Sequence, residues 1–472
     1  MTLKKMNIYI KESITCYTNY RCKVVKALTI LLITVSFTAC EGFVEIDLPK
    51  DQLATEAVFE DEGTALAALA NIYAQMRDAG LTSGAQLATQ MGYYTDELDY
   101  FNPNSDSPFY EHGVLPSNSI ITGWWDGTYK RIYAANAVIE GAENSASLSL
   151  EAKNQLMGEG LFIRAYLHSL LVNLYGAIPY VNTTNYITNT TVSRLPVNNV
   201  YEQIVEDLIL AESLLGDDVT GESVRPYKDV ANALLAHMYL YTEQWALAES
   251  TATKLINNFV LEPDLSKVFL KNASGSIWQY KPDPDTFANA LESMLIITGT
   301  TPGNVPALSN ALVNSFESAD QRKSAWLGSV TDGTDIWYFS YKYKEDFETT
   351  SSLEYSVLFR LAEQYLIRSE ARAQLGNISG AQNDLNVIRN RAGLGNTPAT
   401  TLDELQDAIL QERRVELFTE KGQRWFDLKR LGKAGEVLGP IKPSWKATDI
   451  LLPIPESAIL LNPNLLPQND GY

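Results

Sequence analysis

Cysteine and histidine are scarce, with three of each in 472 residues. Cys16, Cys22 and Cys40 all fall at the N-terminal end, so nothing beyond Cys40 can form an intrachain disulfide and the fold must stand on its core. His112, His168 and His237 lack metal-ligand spacing, and the last two sit in helical patterns as packed or capping residues. Basic charge is also short, with 37 Lys and Arg against 57 Asp and Glu and a net charge of -20. Without a Lys/Arg patch to neutralise phosphates, nucleic acid is excluded as a partner. No Ser-His-Asp elbow, glycine-rich phosphate loop or metal box appears, so neither an enzyme nor a cofactor or metal is expected.

Long hydrophobic runs are absent as well. The most apolar stretch, residues 27–39 (ALTILLITVSFTA), is shorter than the roughly 20 residues a spanning helix needs. It follows Lys4, Lys5, Lys11, Arg21, Lys23 and Lys26, which face one acid, Glu12. Basic residues, a short apolar run and then small residues form the layout of a secretory signal. Phe37-Thr38-Ala39-Cys40 closes it and resembles a bacterial lipoprotein cleavage box. Residues 1–39 are therefore expected to be a lipoprotein signal peptide, with Cys40 as the acylated N-terminus. Several acyl chains anchor a protein stably without a spanning helix.

What is abundant is helical periodicity and aromatic side chains. Hydrophobic residues make up 45% of the chain and aromatics 10%, enough for a large core and for stacking surfaces. Apolar residues at three- and four-residue spacing predict helices over 65–76, 129–139, 159–174, 201–215, 230–241, 245–257, 358–375, 379–392 and 402–418. Short breaks pair several of them as hairpins, with small alanines where two helices would cross. The pattern has the logic of tetratricopeptide pairs, without a strict repeat period. The expected class is mainly α, with tetratricopeptide-like helix pairs plus long irregular loops and short strands forming a binding face. The loops lie over 92–123 and 263–337, and no linker divides 40–472, which reads as one domain. Ser276-Ile277-Trp278-Gln279-Tyr280 is strand-like.

On the helix from Leu402, Leu405, Ile409, Glu412 and Glu416 form one stripe. Carboxylates that continue an apolar stripe must be paired, and Arg389, Arg391, Arg413 and Arg424 are candidate partners. This pattern predicts a buried ion network rather than a catalytic pair. Asp96, Glu97 and Asp99, and again Asp283 and Asp285, read as solvated acidic loops, with a calcium site the alternative. Aromatics in the long loops are the better binding candidates, because flat rings suit the C–H faces of a sugar and Asn or Asp its hydroxyl rim. These are Tyr100, Phe101, Asn102 and Tyr110 in the first loop and Trp278, Tyr280, Phe287 and Asn289 in the second. Packing of Trp278 and Tyr280 into the core is the alternative.

Several motifs occur together in order. Glu159-Gly160-Leu161-Phe162-Ile163-Arg164-Ala165-Tyr166 is followed by Tyr175-Gly176-Ala177-Ile178-Pro179. Arg360-Leu361-Ala362-Glu363, Leu385-Asn386-Val387-Ile388-Arg389-Asn390-Arg391-Ala392-Gly393 and Glu412-Arg413-Arg414-Val415-Glu416-Leu417 come next. Gly422-Gln423-Arg424-Trp425-Phe426-Asp427 and the end, Pro453-Ile454-Pro455 with Asn462-Pro463, complete the series. Across nearly the whole mature chain this resembles the SusD/RagB family of Bacteroidota surface lipoproteins. Lys421 departs from the Glu-Gly that the family often has there. The resemblance implies an outer-membrane, cell-surface lipoprotein that is not an enzyme. It would capture oligosaccharides and deliver them to a TonB-dependent SusC-like transporter. A peptide-binding RagB-like member, or a helical-repeat scaffold for other proteins, is the alternative reading.

Overall fold

In the computed structural model the described residues are 55–102, 107–218, 220–283, 292–345 and 351–472. The signal segment and Cys40 lie outside them, as do Phe287 and Asn289. Residues Thr55–Tyr472 form one compact unit.

Helices α1 (Thr55–Val58), α2 (Glu62–Asp78), α3 (Gly84–Tyr94), α4 (Ser119–Asn144) and α5 (Leu150–Tyr175) open it. They are followed by α6 (Tyr186–Asn189), α7 (Val197–Leu214), α8 (Lys228–Tyr241) and α9 (Trp245–Asn258). After a strand-rich stretch come α10 (Asn310–Val313), α11 (Gln321–Trp326), α12 (Leu361–Gln374), α13 (Ile378–Arg391) and α14 (Leu402–Leu417). The last are α15 (Gln423–Arg430), α16 (Ala434–Leu438) and α17 (Glu456–Leu461). Sequential neighbours pack as pairs: α4 on α5, α5 on α7, α8 on α9, then α12 on α13 and α14. The chain is thus mainly α with tetratricopeptide-like hairpins, as the periodicity implied.

Helix α5 is the axis of the core, buried on every side from Gly158 to Tyr175. Close crossing needs a missing side chain: a Cβ on Gly160 would stand 2.7 Å from Ile139 of α4. Asn118 caps α4 by accepting from the backbone of Ile120, and Thr401 and Glu404 form a capping box on α14.

Among the described residues, six short strands serve the helices. Strands β1 (Leu98–Asp99), β3 (Ala307–Leu308), β5 (Ile336–Ser340) and β4 (Leu327–Thr331) form an antiparallel sheet in that order. A separate pair joins β2 (Ser276–Tyr280) to β6 (Ser356–Arg360). The last strand corrects the helix expected from residue 358. Val357, Leu358 and Phe359 have an apolar run that suits either state, and pairing with Ser276–Tyr280 buries them as strand, so α12 starts only at Leu361. Residues 92–94, expected in a loop, belong to α3.

Candidate functional site

The first loop takes its position from buried charge at its root. Asp96 is gripped by Arg424 Nε at 2.8 Å and Arg414 Nη2 at 2.6 Å, both from the C-terminal motifs. Burial penalises its charge, but the Arg424 hydrogen bonds and both guanidiniums outweigh that and hold the carboxyl below its ordinary value. Glu97 is buried beside it with no hydrogen-bond partner for Oε1. Burial, aided by the Asp96 charge, pushes it up to about 8. Asp96 and Glu97 therefore correct the expectation of a solvated acidic loop. Asp283 is solvated, with its side chain 76% exposed. Among the described residues no cluster of His, Cys, Asp or Glu could hold a metal ion.

From this root the chain makes strand β1 and turns outward. Tyr93 and Tyr100 meet edge to face at 5.4 Å, and Tyr110 packs 6.4 Å from each. Lys442 Nζ sits 3.6 Å over the Tyr110 ring and donates to the Tyr93 carbonyl at 2.8 Å. Burial lowers this ammonium to about 8, opposed by the Asp99 charge. Phe101, the next residue after Tyr100, is 40% exposed. Tyr100, Asn102 and Tyr110 are half-buried. Of the sequence-predicted residues, Tyr100 and Tyr110 are brought together with Tyr93.

The second loop contributes differently. Trp278 is fully buried against Phe162, Tyr166, Tyr280 and Phe359. Tyr280 is 3% exposed in the same cluster. Neither ring offers a face to a ligand, because β2 is covered on both sides. This is the core packing weighed in the sequence, and it withdraws both as stacking platforms. Sequence reasoning also missed Trp337 and Tyr341. Register places Asp99 beside Ala307, and Ala307 and Phe339 share a row, so alternation puts Trp337, Phe339 and Tyr341 on the Asp99 face of the sheet. Trp337 and Tyr341 are half-buried there. Their aromaticity in a strand-rich stretch was the available signal, but only the sheet order connects them to the first loop.

The helix carboxylates are structural. Glu416 is fully buried and meets Arg322 at 2.9 Å, Arg360 at 2.5 Å and Arg391. Glu412 meets Arg322 at 2.6 Å and Arg389 at 3.5 Å. Of the expected partners, Arg389 and Arg391 serve these acids. Arg413 pairs instead with Asp427, and Arg424 with Asp96. Arg322 and Arg360 were not anticipated.

Comparison with known proteins covers most of the chain. Residues 48–240 match the family model SusD-like_3, described as "Starch-binding associating with outer membrane". Residues 274–472 match the model SusD_RagB, "SusD family". A relative from Formosa agariphila, SusD-like protein P2, is 26% identical over 94% of this chain and 99% of its own. A "SusD-like protein" from Bacteroides ovatus is 25% identical over 70% of this chain and 69% of its own. Among solved structures, a "Laminarin binding SusD-like protein" superposes with TM-score 0.74 at 22% identity, covering 87% of this chain and 100% of its own. Surface glycan-binding protein A from Bacteroides thetaiotaomicron gives TM-score 0.73 at 19% identity, covering 88% and 100%.

Proposed function

The chain belongs to the SusD/RagB family, and on that premise we propose that it captures oligosaccharides at the cell surface and passes them to a TonB-dependent SusC-like transporter in the outer membrane. Acyl chains on Cys40 would tether it there. The observation that carries this reading is the exposed Phe101, next in the chain to Tyr100, which packs with Tyr93 and Tyr110 on a loop root locked by Asp96, Arg414 and Arg424. A ring held on a rigid base binds a sugar face with little ordering cost. Binding without turnover suits the same geometry, because Asp96 is committed to two arginines and Glu97 is sealed from solvent. A glycosidase needs two carboxylates free to flank a glycosidic bond. The glycan binding named for the laminarin-binding relative supports the ligand class.

Affinity electrophoresis against a panel of polysaccharides tests the capture step. Retardation by at least one glycan, lost in Phe101→Ala and accompanied by no new reducing ends, is expected. Retardation by peptides alone would replace glycan with peptide cargo. Mild-detergent purification of the native protein should bring down a β-barrel of greater mass, and release of Cys40→Ala from membranes should abolish this. A lone monomer recovered from several detergents, with a transporter expressed in the same cells, would refute the delivery step.

A further inference from the structure

Glu97 stands between the clamped Asp96 and strand β1, and it is itself left without a cation. It is 2% exposed, and its Oε1 has no hydrogen-bond partner. The backbone N–H of Thr419 donates to the carboxyl, but among the described residues no lysine or arginine ion-pairs with it. The bases whose charge it feels are committed elsewhere. Arg414 and Arg424 grip Asp96, and Lys342 Nζ donates to the carbonyls of Glu416 and Phe418 at 2.8 Å and to the Glu420 carboxylate at 2.5 Å. Two successive buried carboxyls with cations for one of them do not both ionise: Asp96 takes the guanidiniums, and Glu97 is held as the neutral acid.

The segment that carries Glu97 gives this charge balance a use. Strand β1 is two residues long and pairs with β3 through Leu98 with Leu308 and Asp99 with Ala307. Ser309 fastens its start, donating from its backbone N–H to the Glu97 carbonyl at 2.8 Å and from Oγ to the Asp96 carbonyl at 2.5 Å. Tyr100 and Phe101 follow directly. A strand held by so few backbone bonds belongs to the part of a fold that opens at low free-energy cost. An ionised carboxylate sealed beneath it favours the open form, in which water reaches the charge.

We propose that Glu97 is a positioning residue for the loop face: as the neutral acid it lets β1 lie sealed on Ser309 with Tyr100 and Phe101 in place, and as the carboxylate it releases them. This rests on reading the loop face as the capture site. A carboxyl raised in the closed form to about 8 stabilises that form in acid, and the contribution is lost as pH rises from the ordinary glutamate range to that value. With one proton released per opening, the open population grows by up to about tenfold per pH unit in this window. Neighbouring groups differ in sense or range. Lys442, lowered to about 8 by burial, favours the closed form as pH rises. Asp99, raised by burial, acts in the same sense as Glu97. His112, lowered to about 4, and the raised Tyr93 and Tyr110 hydroxyls titrate outside the window. The difference between wild type and Glu97→Gln therefore isolates Glu97.

Amide hydrogen exchange of residues 96–101 in the detergent-solubilised full chain, from about pH 5.5 to about pH 8.5, tests this without a ligand. The wild-type rate divided by that of Glu97→Gln should climb by about tenfold or more and level off above about pH 8. Should Glu97→Gln fail to fold, the wild-type rate corrected for intrinsic chemical exchange carries the same test. Laminarin affinity, measured by calorimetry over the same range, should fall about fivefold or more in wild type and stay within about twofold in Glu97→Gln. An exchange ratio that is flat or falls with pH would overturn the proposal, as would the same pH dependence of laminarin affinity in both proteins. A rising exchange ratio in a chain that binds neither laminarin nor any other glycan of the panel would uphold the role of Glu97 and refute the capture reading instead.

Discussion

Replacing Glu416 by Ala should be among the most damaging single changes in this chain, and the partner list says why. Glu416 is the sole carboxylate reaching Arg391 among the described residues, whereas Arg322 retains Asp320 and Glu412, and Arg360 retains Glu420. Arg391 has its side chain only 4% exposed, and its Nε already lacks a partner. Removing one side of a buried ion pair costs about 3–5 kcal/mol, because the other charge is left uncompensated. Unfolding entropy of roughly 2.1 cal/mol/K per residue over Thr55–Tyr472 converts about 4 kcal/mol into a fall of about 5 °C in melting temperature. Glu412→Ala should cost less, about 1–2 kcal/mol, since Arg322 keeps two acids and Arg389 keeps Glu317. The two carboxyls also titrate in opposite directions. Burial pushes Glu412 above its ordinary range, whereas Arg391, Arg360 and Arg322 outweigh burial and hold Glu416 well below it. A depressed carboxyl stabilises the fold above the ordinary glutamate range, and that contribution is lost as pH falls through the folded value. The difference between wild type and Glu416→Ala should therefore be full at pH 7 and shrink in acid. Calorimetric melting of both variants, with a Glu416→Ala/Arg391→Met double-mutant cycle, measures this directly. A Glu416→Ala loss no larger than that of Glu412→Ala, or a coupling energy near zero, would refute the reasoning.

Trp278→Ala should destabilise by about 3–5 kcal/mol through the cavity left among Phe162, Tyr166 and Phe359, measurable by denaturant unfolding, without a specific loss of ligand affinity in the folded fraction. Tyr100→Ala or Phe101→Ala should instead weaken glycan retention by about 1–3 kcal/mol if a ring stacks on the ligand, with little change in melting. Glu97→Gln should stabilise the fold on the order of 2–3 kcal/mol at pH 7. With its folded pKa raised to about 8, the native Glu97 lowers stability progressively from the ordinary glutamate range up to that pH, and the amide should flatten this part of the melting profile.

Local pattern was sufficient wherever local contacts decide. The hairpin 230–241 with 245–257 was legible almost to the residue, because apolar spacing along each helix and the short break between them suffice to pair α8 with α9. The stripe through Glu412 and Glu416 announced a buried ion network by charge falling where apolar residues belong. The proximity of Tyr100 and Tyr110 was legible as well, since both belong to one short loop segment. Tertiary structure alone decided the rest. Arg322 and Arg360, both distant from α14 in the chain, reach Glu416 only once α11 and β6 are packed on that helix. Asp96 and Glu97 resemble solvated acids until Arg414 and Arg424 arrive from the far end of the chain. Trp278 has the same residue type whether it stacks on a ligand or fills the core, and the covering of β2 by α5 and β6 makes it core. Spacing along a chain encodes which face of an element is apolar, but which distant charge neutralises a buried one is set by the arrangement of elements in space.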